Sequence, residues 1–401
     1  MNFAADFAAL RQIGADAAGG WSRPAFSEAD NAAHDWLLEQ GRAAGLDARY
    51  DAFGNAILRL EGDGRPALLI GSHLDTVRNG GAFDGAIGVL AGLEVLRRLR
   101  ASGQPGAPVE AISFRDEEGR FGPFTGSRAM LGQHDAAALA KARAADGETL
   151  AEAMAGAGFT PANVPRDLST IAGYLELHIE QGPVLEQAGC PIGIVTAIAG
   201  QERLSLRFTG QADHAGTAPM DLRRDAFAGA ARFATAFRDL IRAAGDPALR
   251  GTIGVVKLSP NQGNVVPGEV TLGLEIRSTE AGTLPDLRGR IIALAEDIAE
   301  QEQLGLRSRG IYSESPVPMD AALQAALAAS AAALGHSALR LPSGANHDAG
   351  IMGRLVPSAM IFVPSVGGRS HCPEEETEPA FIEAAIDVLH HAVMTLRRVR
   401  A

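Results

Sequence analysis

Ala67-Leu68-Leu69-Ile70-Gly71-Ser72-His73-Leu74-Asp75-Thr76 is an apolar run that ends in polar, potentially reactive side chains. The run Ala67–Ile70 is short and wholly apolar, which predicts a buried strand leading into a loop. The sequence then predicts a helix over Gly85–Arg100 and a second buried strand over Val109–Phe114. Strand–helix–strand order with polar residues at the strand ends is typical of an α/β sheet whose site lies along its carboxyl edge.

The polar residues at these strand ends are of the kinds that bind metal ions. Zinc in catalytic sites takes imidazole and carboxylate ligands and keeps one position open. His73 and Asp75 are two residues apart, so one can bind a metal ion while the other orients it. Asp84 stands between two glycines at the entry to the predicted helix. A carboxylate there can bridge two cations about 3.5–4 Å apart, the separation found in two-metal hydrolases.

The pair Glu117-Glu118 follows the second predicted strand. On an extended backbone, adjacent side chains point to opposite sides, so the two carboxylates are expected to do different work. One as a metal ligand and the other as a general base is the natural division. Together with His73, Asp75 and Asp84, this pair predicts a hydrolytic metal centre.

Composition and charge exclude several other classes of protein. The 401 residues are 46% hydrophobic and 21% charged, which is ordinary for a globular enzyme of two domains. The net charge of −12 and the absence of runs of five like charges argue against nucleic acid or an anionic membrane as partner. The sequence offers only two cysteines, no secretory signal and no stretch of 18 apolar residues. We therefore expect a cytoplasmic protein.

The polar pattern changes after Gly200. Strands and helices are predicted in the order strand–helix–strand–strand–helix–strand, which is typical of a ferredoxin-like α+β domain. The predicted elements are Arg203–Phe208, Asp225–Ala244, Gly251–Leu258, Val270–Arg277 and Leu284–Gln303, with a last strand before residue 319. We place this insert at residues 203–318, so the first domain is discontinuous, comprising residues 1–202 and 319–401. A further buried strand is predicted over Ser358–Val363.

Several other polar residues are candidate ligands or substrate-binding residues only if they lie near the predicted metal centre. His178 and His371 follow apolar or β-prone runs and stand near Gly-Pro and Cys-Pro, where a lone histidine is usually structural. His214 and His347 have small neighbours that leave room for a ligand. Two further candidates lie in the insert. They are Arg277, which at a strand end can bind a carboxylate through two parallel hydrogen bonds, and Asn264, which is by default a turn residue.

Eight stretches in the same order along the chain resemble the zinc-dependent amidases of the hydantoinase/carbamoylase group, within the binuclear aminoacylase/carboxypeptidase-type superfamily. The stretches are Gly71–Thr76, Gly80–Gly92, Glu117–Ala129, Glu176–Pro183, His214–Met220, Asn264–Gly268, Ser343–Ala349 and Phe362–Glu375. Within the wider superfamily a carboxylate usually stands at the position of His178, so this histidine favours the amidase group.

The resemblance implies a fold and a set of site residues. The catalytic domain would be zinc-exopeptidase-like, with a mixed central sheet flanked by helices. The ferredoxin-like insert would serve as a lid and as the interface of a homodimer. The expected ligands of two divalent cations, Zn²⁺ or alternatively Mn²⁺, Co²⁺ or Ni²⁺, are His73, Asp84, Glu118, His178 and His371, with Asp84 bridging.

The resemblance also implies roles in catalysis and substrate binding. Glu117 would be the general base, and Asp75 would support the catalytic site beside His73. His214 would reach the site of the neighbouring subunit and stabilise the oxyanion. Substrate would be held by residues of both predicted domains, namely Gln201, His214, Asn264, Arg277 and His347, with Arg277 binding its carboxylate.

The implied activity is hydrolysis of the carbamoyl (ureido) C–N bond of a small carboxylate, with release of carbon dioxide and ammonia. Allantoate, N-carbamoyl-L-amino acids and 3-ureidopropionate are the candidate substrates. The alternative is an aminoacylase or dipeptidase of the same superfamily, against which His178 and Arg277 weigh. A catalytically inactive binding protein would lack a ligand or the base, and none is missing.

Two features depart from the usual pattern of the group. The stretch Glu117-Glu118-Gly119-Arg120-Phe121 is one residue shorter than the ordinary Glu-Glu-Gly-x-Arg-Phe, and Asn346 stands in place of a more usual glycine. Both are expected close to the substrate, so they bear on which ureido compound is accepted.

Overall fold

The computed structural model describes residues 3–17, 19–163, 165–246 and 248–398. The chain forms two compact units, one of Met1–Thr196 and Met319–Ala401 and the other of Ala197–Pro318. The boundary therefore falls a few residues before the one that we expected between residues 202 and 203. The reason is that the first long strand of the second unit already begins at Gly200.

The chain begins with the helices and strands that build most of the first unit. As far as residue 198 they are α1 (Phe3–Leu10), α2 (Glu28–Ala43), β1 (Asp47–Tyr50), β2 (Ala56–Leu60), β3 (Ala67–His73), α3 (Ala86–Ser102), β4 (Val109–Phe114), α4 (Thr125–Met130), α5 (Ala136–Lys141), α6 (Leu150–Gly156), β5 (Ile171–Ile179), α7 (Val184–Ala188) and β6 (Ile192–Ile198). The second unit follows with β7 (Gly200–Thr209), β8 (Asp213–His214), α8 (Ala226–Ala243), β9 (Arg250–Ser259), β10 (Val265–Val266), β11 (Glu269–Ser278), α9 (Thr283–Gln301), β12 (Gly305–Glu314) and β13 (Val317–Pro318). The last are α10 (Ala321–Ala333), β14 (Ala338–Ser343), α11 (Asp348–Met352), β15 (Ser358–Val363) and α12 (Pro379–Leu396).

The sheet of the first unit is mixed, and its parallel centre decides where the site lies. The strand order is β1-β2-β4-β3-β5-β15-β6. Strand β3 runs parallel to β4 and β5, and β15 runs parallel to β5, whereas β2 and β6 are antiparallel to their neighbours. The carboxyl ends of β4, β3, β5 and β15 therefore lie along one edge. The stretches that carry the predicted ligands leave the sheet at this edge.

The helix between the first two parallel strands is more deeply buried than its sequence pattern indicates. Every residue of α3 from Ala86 to Leu96 is buried. This helix contacts β3, β4 and β5 and also α12 and α1, which cover it. The small residues Gly88 and Gly92 permit the close approach, because a Cβ at Gly88 would lie 2.3 Å from the carbonyl oxygen of Leu177. Helix α3 thus fixes the entry segment that carries Asp84.

The second unit has the predicted ferredoxin-like arrangement. Its four long strands are antiparallel in the order β12-β7-β11-β9. Helices α8 and α9 contact this sheet, and the apolar core between them includes Phe208, Phe233 and Ile291. Asp225 caps α8 by accepting hydrogen bonds from the backbone N–H groups of residues 227 and 228. No helix among the described residues has the length and apolar character needed to cross a bilayer.

Candidate metal centre

The carboxylate of Asp84 lies at the middle of the predicted ligand set. Its Oδ1 is 3.0 Å from Nε2 of His178 and 3.4 Å from Nε2 of His73. Its Oδ2 is 3.3 Å from Nε2 of His371, which in turn lies 3.6 Å from Oε2 of Glu118. The two carboxylate oxygens of Asp84 therefore face two different groups of ligand atoms.

Each group contains three side chains whose ligand atoms lie within 4.8 Å of one another. The first group is His73, Asp84 and His178, and the second is Asp84, Glu118 and His371. All five predicted ligands are thus brought together, and Asp84 is the member that the two groups share. This is the arrangement that a carboxylate bridging two cations requires.

The two buried histidines are oriented by backbone carbonyls. Nδ1 of His73 donates to the carbonyl oxygen of Asp75 at 2.9 Å, and Nδ1 of His178 donates to that of Ile179 at 2.9 Å. Nε2 is therefore the ring nitrogen that faces Asp84, and in the neutral ring it is the nitrogen that would bind a metal ion. Gly85 makes room for this, because a Cβ there would lie 2.4 Å from Nε2 of His73.

Asp75 acts in a way that the sequence did not predict. Its carboxylate is 3.7 Å from Nδ1 of His73, whereas its backbone carbonyl makes the close contact with that ring. The carboxylate instead accepts hydrogen bonds from the backbone N–H of Glu117 at 3.3 Å and of Glu118 at 3.1 Å. Asp75 therefore holds the loop that carries the predicted base and the predicted ligand.

Glu117 stands beside the ligand groups without belonging to either. Its Oε2 is 3.8 Å from Nε2 of His73, and the residue is buried. Glu118, the next residue, faces His371 instead. The residue before the pair, Asp116, adopts a left-handed backbone conformation with φ of 59°, so the chain turns directly after β4 and before the two glutamates.

The residues present fit a pair of cations on two grounds. First, the centre is crowded with carboxylates, including Asp75, Asp84, Asp116, Glu117, Glu118, Glu176 and Asp348. Burial and neighbouring carboxylates hold the pKa of Glu117 well above its ordinary value, and burial and the charge of Asp84 raise the pKa of Glu118 to about 7. Second, Nε2 of His73 is buried with no hydrogen-bond partner in the described part of the chain. Bound cations would neutralise the charge and satisfy this nitrogen.

His347 is buried against the first ligand group. Its ring centroid lies 4.4 Å from that of His178, and its Nε2 is 3.1 Å from Oγ of Ser343. Burial and the positive charge of His178 hold the pKa of His347 well below its ordinary value, so the ring is neutral. Glu176, His178 and His347 form a third group of potential ligands. The Glu176 carboxylate already accepts hydrogen bonds from Ser72 and Ala349.

The predicted residues of the second unit form two pairs. Gln201 on β7 lies directly opposite Arg277 on β11, and both side chains donate to the carboxylate of Glu275. The second pair is Asn264 and exposed His214, which lie at the short ladder of β8 and β10. The backbone N–H of Ala215, the residue after His214, donates to the carbonyl oxygen of Asn264. Nδ1 of His214 accepts from the N–H of residue 216, which leaves Nε2–H free to act as a donor.

Three residues around Asp84 were not predicted. The Gln181 side chain donates from Nε2 to Oδ2 of Asp84 at 2.7 Å, and the Ser370 hydroxyl lies 2.9 Å from the same oxygen. Glu375 is buried and accepts hydrogen bonds from both loops that contain Asp84 and His371. All three lie within stretches that the family resemblance covers, but sequence spacing alone does not distinguish them from ordinary loop residues.

A cavity of about 540 Å³ opens beside the ligand groups in the first unit. Its lining includes Asp75 and Glu118 from the centre and Arg120 from the shortened loop. The Arg120 guanidinium donates to the carbonyl of Ala25 at 2.8 Å and pairs with Glu148. The shortened loop is therefore anchored at the wall of this cavity. Asn346, the other departure from the family pattern, accepts through Oδ1 from the N–H of residue 347.

Comparison with known proteins gives similarity over nearly the whole chain. A model of peptidase family M20/M25/M40 matches residues 69–395. The N-carbamoyl-L-amino acid amidohydrolase of Geobacillus stearothermophilus is 39% identical over 396 residues, 96% of this chain and 96% of that protein. The allantoate amidohydrolase of Bacillus subtilis (strain 168) is 37% identical over 391 residues, 95% and 93% of the two proteins. A solved amidase of the hydantoinase/carbamoylase family from Burkholderia phymatum has a TM-score of 0.91 at 36% identity, covering 98% of this chain and 96% of that chain.

Proposed function

The chain belongs to peptidase family M20/M25/M40, and we propose that it is a metal-dependent amidohydrolase that cleaves the carbamoyl C–N bond of a small ureido carboxylate. The resemblance to hydantoinase/carbamoylase amidases found in the sequence is confirmed by the two amidohydrolase relatives and the solved amidase. One geometric observation carries the proposal. Two groups of histidine and carboxylate ligands share Asp84, while Glu117 lies beside them outside both.

We propose that five side chains hold two divalent cations. His73 and His178 of the first group would hold one cation, Glu118 and His371 of the second would hold the other, and Asp84, which belongs to both groups, would contribute to each. When bound, the cations would lower the pKa of water and polarise the ureido carbonyl. This donor set suits Zn²⁺ and also admits Mn²⁺, Co²⁺ or Ni²⁺, which a reconstitution series distinguishes by turnover per bound ion.

The protein residues supply proton transfer. Glu117 accepts a proton from the attacking water as oxygen adds to the ureido carbon. As the C–N bond to the substrate amine breaks, the same carboxyl returns a proton to the departing nitrogen. The carbamate left behind decomposes to carbon dioxide and ammonia. Asp75 takes part by holding the backbone of residues 117 and 118, so that the base keeps its distance from His73.

The substrate-binding roles fall mainly to the second unit. Arg277 binds the substrate carboxylate by two parallel hydrogen bonds, with Gln201 opposite it on the neighbouring strand. Asn264 and neutral His347 are the other residues that we propose bind substrate. The ion pair between Arg277 and Glu275 supports this role, because it orients the guanidinium before substrate arrives.

We propose a homodimer in which His214 serves the partner subunit's site. His214 is exposed and has a free Nε2–H donor that suits an oxyanion. Strand β9 lies at the edge of its sheet and exposes Val255 and Val256 at 46% and 59%, a surface that pairing with a second copy would cover. Mixing His214→Ala chains with Glu117→Gln chains tests this arrangement. Partial recovery of activity supports a shared site, and confirmed heterodimers without recovery refute it.

A substrate panel tests the activity itself. The metal-reconstituted protein is given allantoate, N-carbamoyl-L-amino acids, 3-ureidopropionate, an N-acetyl-L-amino acid and a dipeptide, and both ammonia and free amine are measured. The expected result is ammonia release from one or more ureido compounds at a kcat/KM far above that for the acyl and peptide substrates. Faster cleavage of the acetyl or peptide bond would establish the aminoacylase or dipeptidase alternative.

A further inference from the structure

We propose that Glu375 is a positioning residue that holds Asp84 and His371 in the geometry that the second cation requires. The inference rests on the proposed function, because it concerns the affinity of the second of the two cations. Glu375 follows the β15 strand by several residues and is only 4% exposed, although both neighbouring glutamates are exposed. A buried carboxylate needs partners that offset its desolvation.

The Glu375 carboxylate contacts four polar groups from two separate loops. Oε1 accepts hydrogen bonds from the backbone N–H groups of Phe83 at 2.9 Å and Asp84 at 3.0 Å. Oε2 lies 2.9 Å from the hydroxyl of Ser370 and accepts from the backbone N–H of His371 at 3.3 Å. One carboxylate thus joins two segments almost 290 residues apart in sequence. Each segment carries a ligand of the second group.

These contacts give the Glu375 carboxylate a structural role. A carboxylate offers about four acceptor positions on its two oxygens. In Glu375 three of these positions are taken by the backbone N–H groups of residues 83, 84 and 371, whose directions the two loops fix. The residue is also absent from every group of potential ligands in the described part of the chain. Its effect on a cation must therefore pass through Asp84 and His371.

The loop that carries Asp84 is shaped around the Glu375 carboxylate. A Cβ on Gly81 would lie 1.9 Å from Oε1 of Glu375 and 2.0 Å from its Cδ. Only glycine at this position lets the backbone approach the carboxylate so closely. Gly81 thus has a structural reason that the sequence pattern did not disclose.

His371 depends on Glu375 more than the other ligands depend on any one contact. Its side chain is 50% exposed, and its backbone is left-handed, with φ of 57°, which costs free energy in a residue other than glycine. By contrast, His73 and His178 lie on the buried strands β3 and β5. Removing Glu375 should therefore weaken the second ligand group and leave most of the first intact.

The test measures zinc binding rather than turnover. The full chain is stripped of metal with a chelator and titrated with Zn²⁺ in competition with a chromophoric indicator. Wild type should bind two ions. Glu375→Ala should bind the first with nearly unchanged affinity and the second roughly 10–100-fold more weakly, the usual effect of losing a group that orients a ligand. Glu374→Gln is the matched control, because it removes a neighbouring exposed charge, and it should bind both ions normally.

A second variant separates positioning from folding. In Glu375→Gln the amide oxygen can still accept from residues 83 and 84, while its NH₂ faces the N–H of His371 and cannot accept from it. The affinity of Glu375→Gln for the second zinc ion should therefore lie between those of wild type and Glu375→Ala. Its circular dichroism spectrum and its Tm without metal should be close to those of wild type. Wild-type affinities in both variants, or equal weakening of both ions, would overturn the role of Glu375. A wild-type chain that binds fewer than two zinc ions would instead overturn the proposed function.

Discussion

Replacing Glu117 by glutamine removes a proton acceptor and little else. The amide has the shape of the carboxylate, and Glu117 belongs to neither of the two groups that share Asp84. The Glu117 backbone would still be held by Asp75, which accepts its N–H. We therefore expect the Glu117→Gln variant to fold, to bind two cations and to bind substrate with a KM close to that of wild type.

The expected loss lies in kcat. A well-placed general base contributes roughly 10²- to 10⁴-fold to a rate. At about 1.36 kcal/mol for each tenfold change, this is about 2.7–5.4 kcal/mol of barrier height. Steady-state ammonia release gives kcat and KM, and elemental analysis of the same samples gives the metal content. Glu118→Gln is the matched comparison, because it alters a ligand of the second group and should lower metal content as well as turnover.

The stability of the metal-free protein provides an independent check, because the substitution that lowers kcat should raise this stability. The fold holds the pKa of Glu117 above its ordinary value of 4.5, so the ionised carboxylate destabilises the metal-free protein above that pH. Glu117→Gln should therefore raise the Tm of the chelator-treated protein at pH 7, and this gain should vanish below about pH 4.5. Turnover within tenfold of wild type would refute Glu117 as the base. Loss of a bound ion would show that it is a ligand instead.

Three further substitutions probe separate parts of the protein. Arg277→Lys should raise KM for ureido carboxylates about tenfold or more with a smaller change in kcat, because an ammonium cannot form two parallel hydrogen bonds; equal KM values would contradict the carboxylate role. Gly85→Ala should lower zinc content, since its Cβ would lie 2.4 Å from Nε2 of His73; full content of two ions would contradict the close packing. Glu110→Gln should lower stability at pH 7 by about 1.5–3 kcal/mol in denaturant unfolding, because buried Glu110 accepts charged hydrogen bonds from Arg59 and Arg166. Burial raises the pKa of Glu110, but the two arginines outweigh it and leave that pKa below 4.5, so the difference should shrink as the pH falls below 4.5.

The features that could be predicted from the sequence are those that local pattern controls. The strands over Val109–Phe114 and Ser358–Val363 have the predicted ends. The ferredoxin-like order of the insert was predictable because its strands alternate between buried and exposed residues. Such periodicities depend only on which face of an element is buried, so a single sequence contains them.

Other features depend on contacts between distant segments, which no local pattern contains. Helix α3 is buried on all sides from Ala86 to Leu96, in part because α12, from the far end of the chain, covers it. The two acceptor bonds of Asp75 to the 117–118 backbone arise only when β3 and β4 lie side by side. The burial of Glu375 likewise requires two loops to meet around it. In each case the residue type can be read from the sequence, whereas its partner is determined by the packing of distant segments.

The candidate metal ligands and base lie in one unit, whereas most candidate substrate-binding residues lie in the other. All five candidate ligands and the candidate base come from the first unit, where parallel strand ends and α3 fix them. The candidates for substrate binding, apart from His347, come from the second unit, where antiparallel strands place Gln201 opposite Arg277. Substitutions in the first unit should therefore change kcat or metal content, whereas those on β7 and β11 should chiefly change KM and the choice among ureido compounds. A substrate preference that followed the shortened loop at Arg120 instead would place recognition in the first unit as well, beside the cavity that this residue lines.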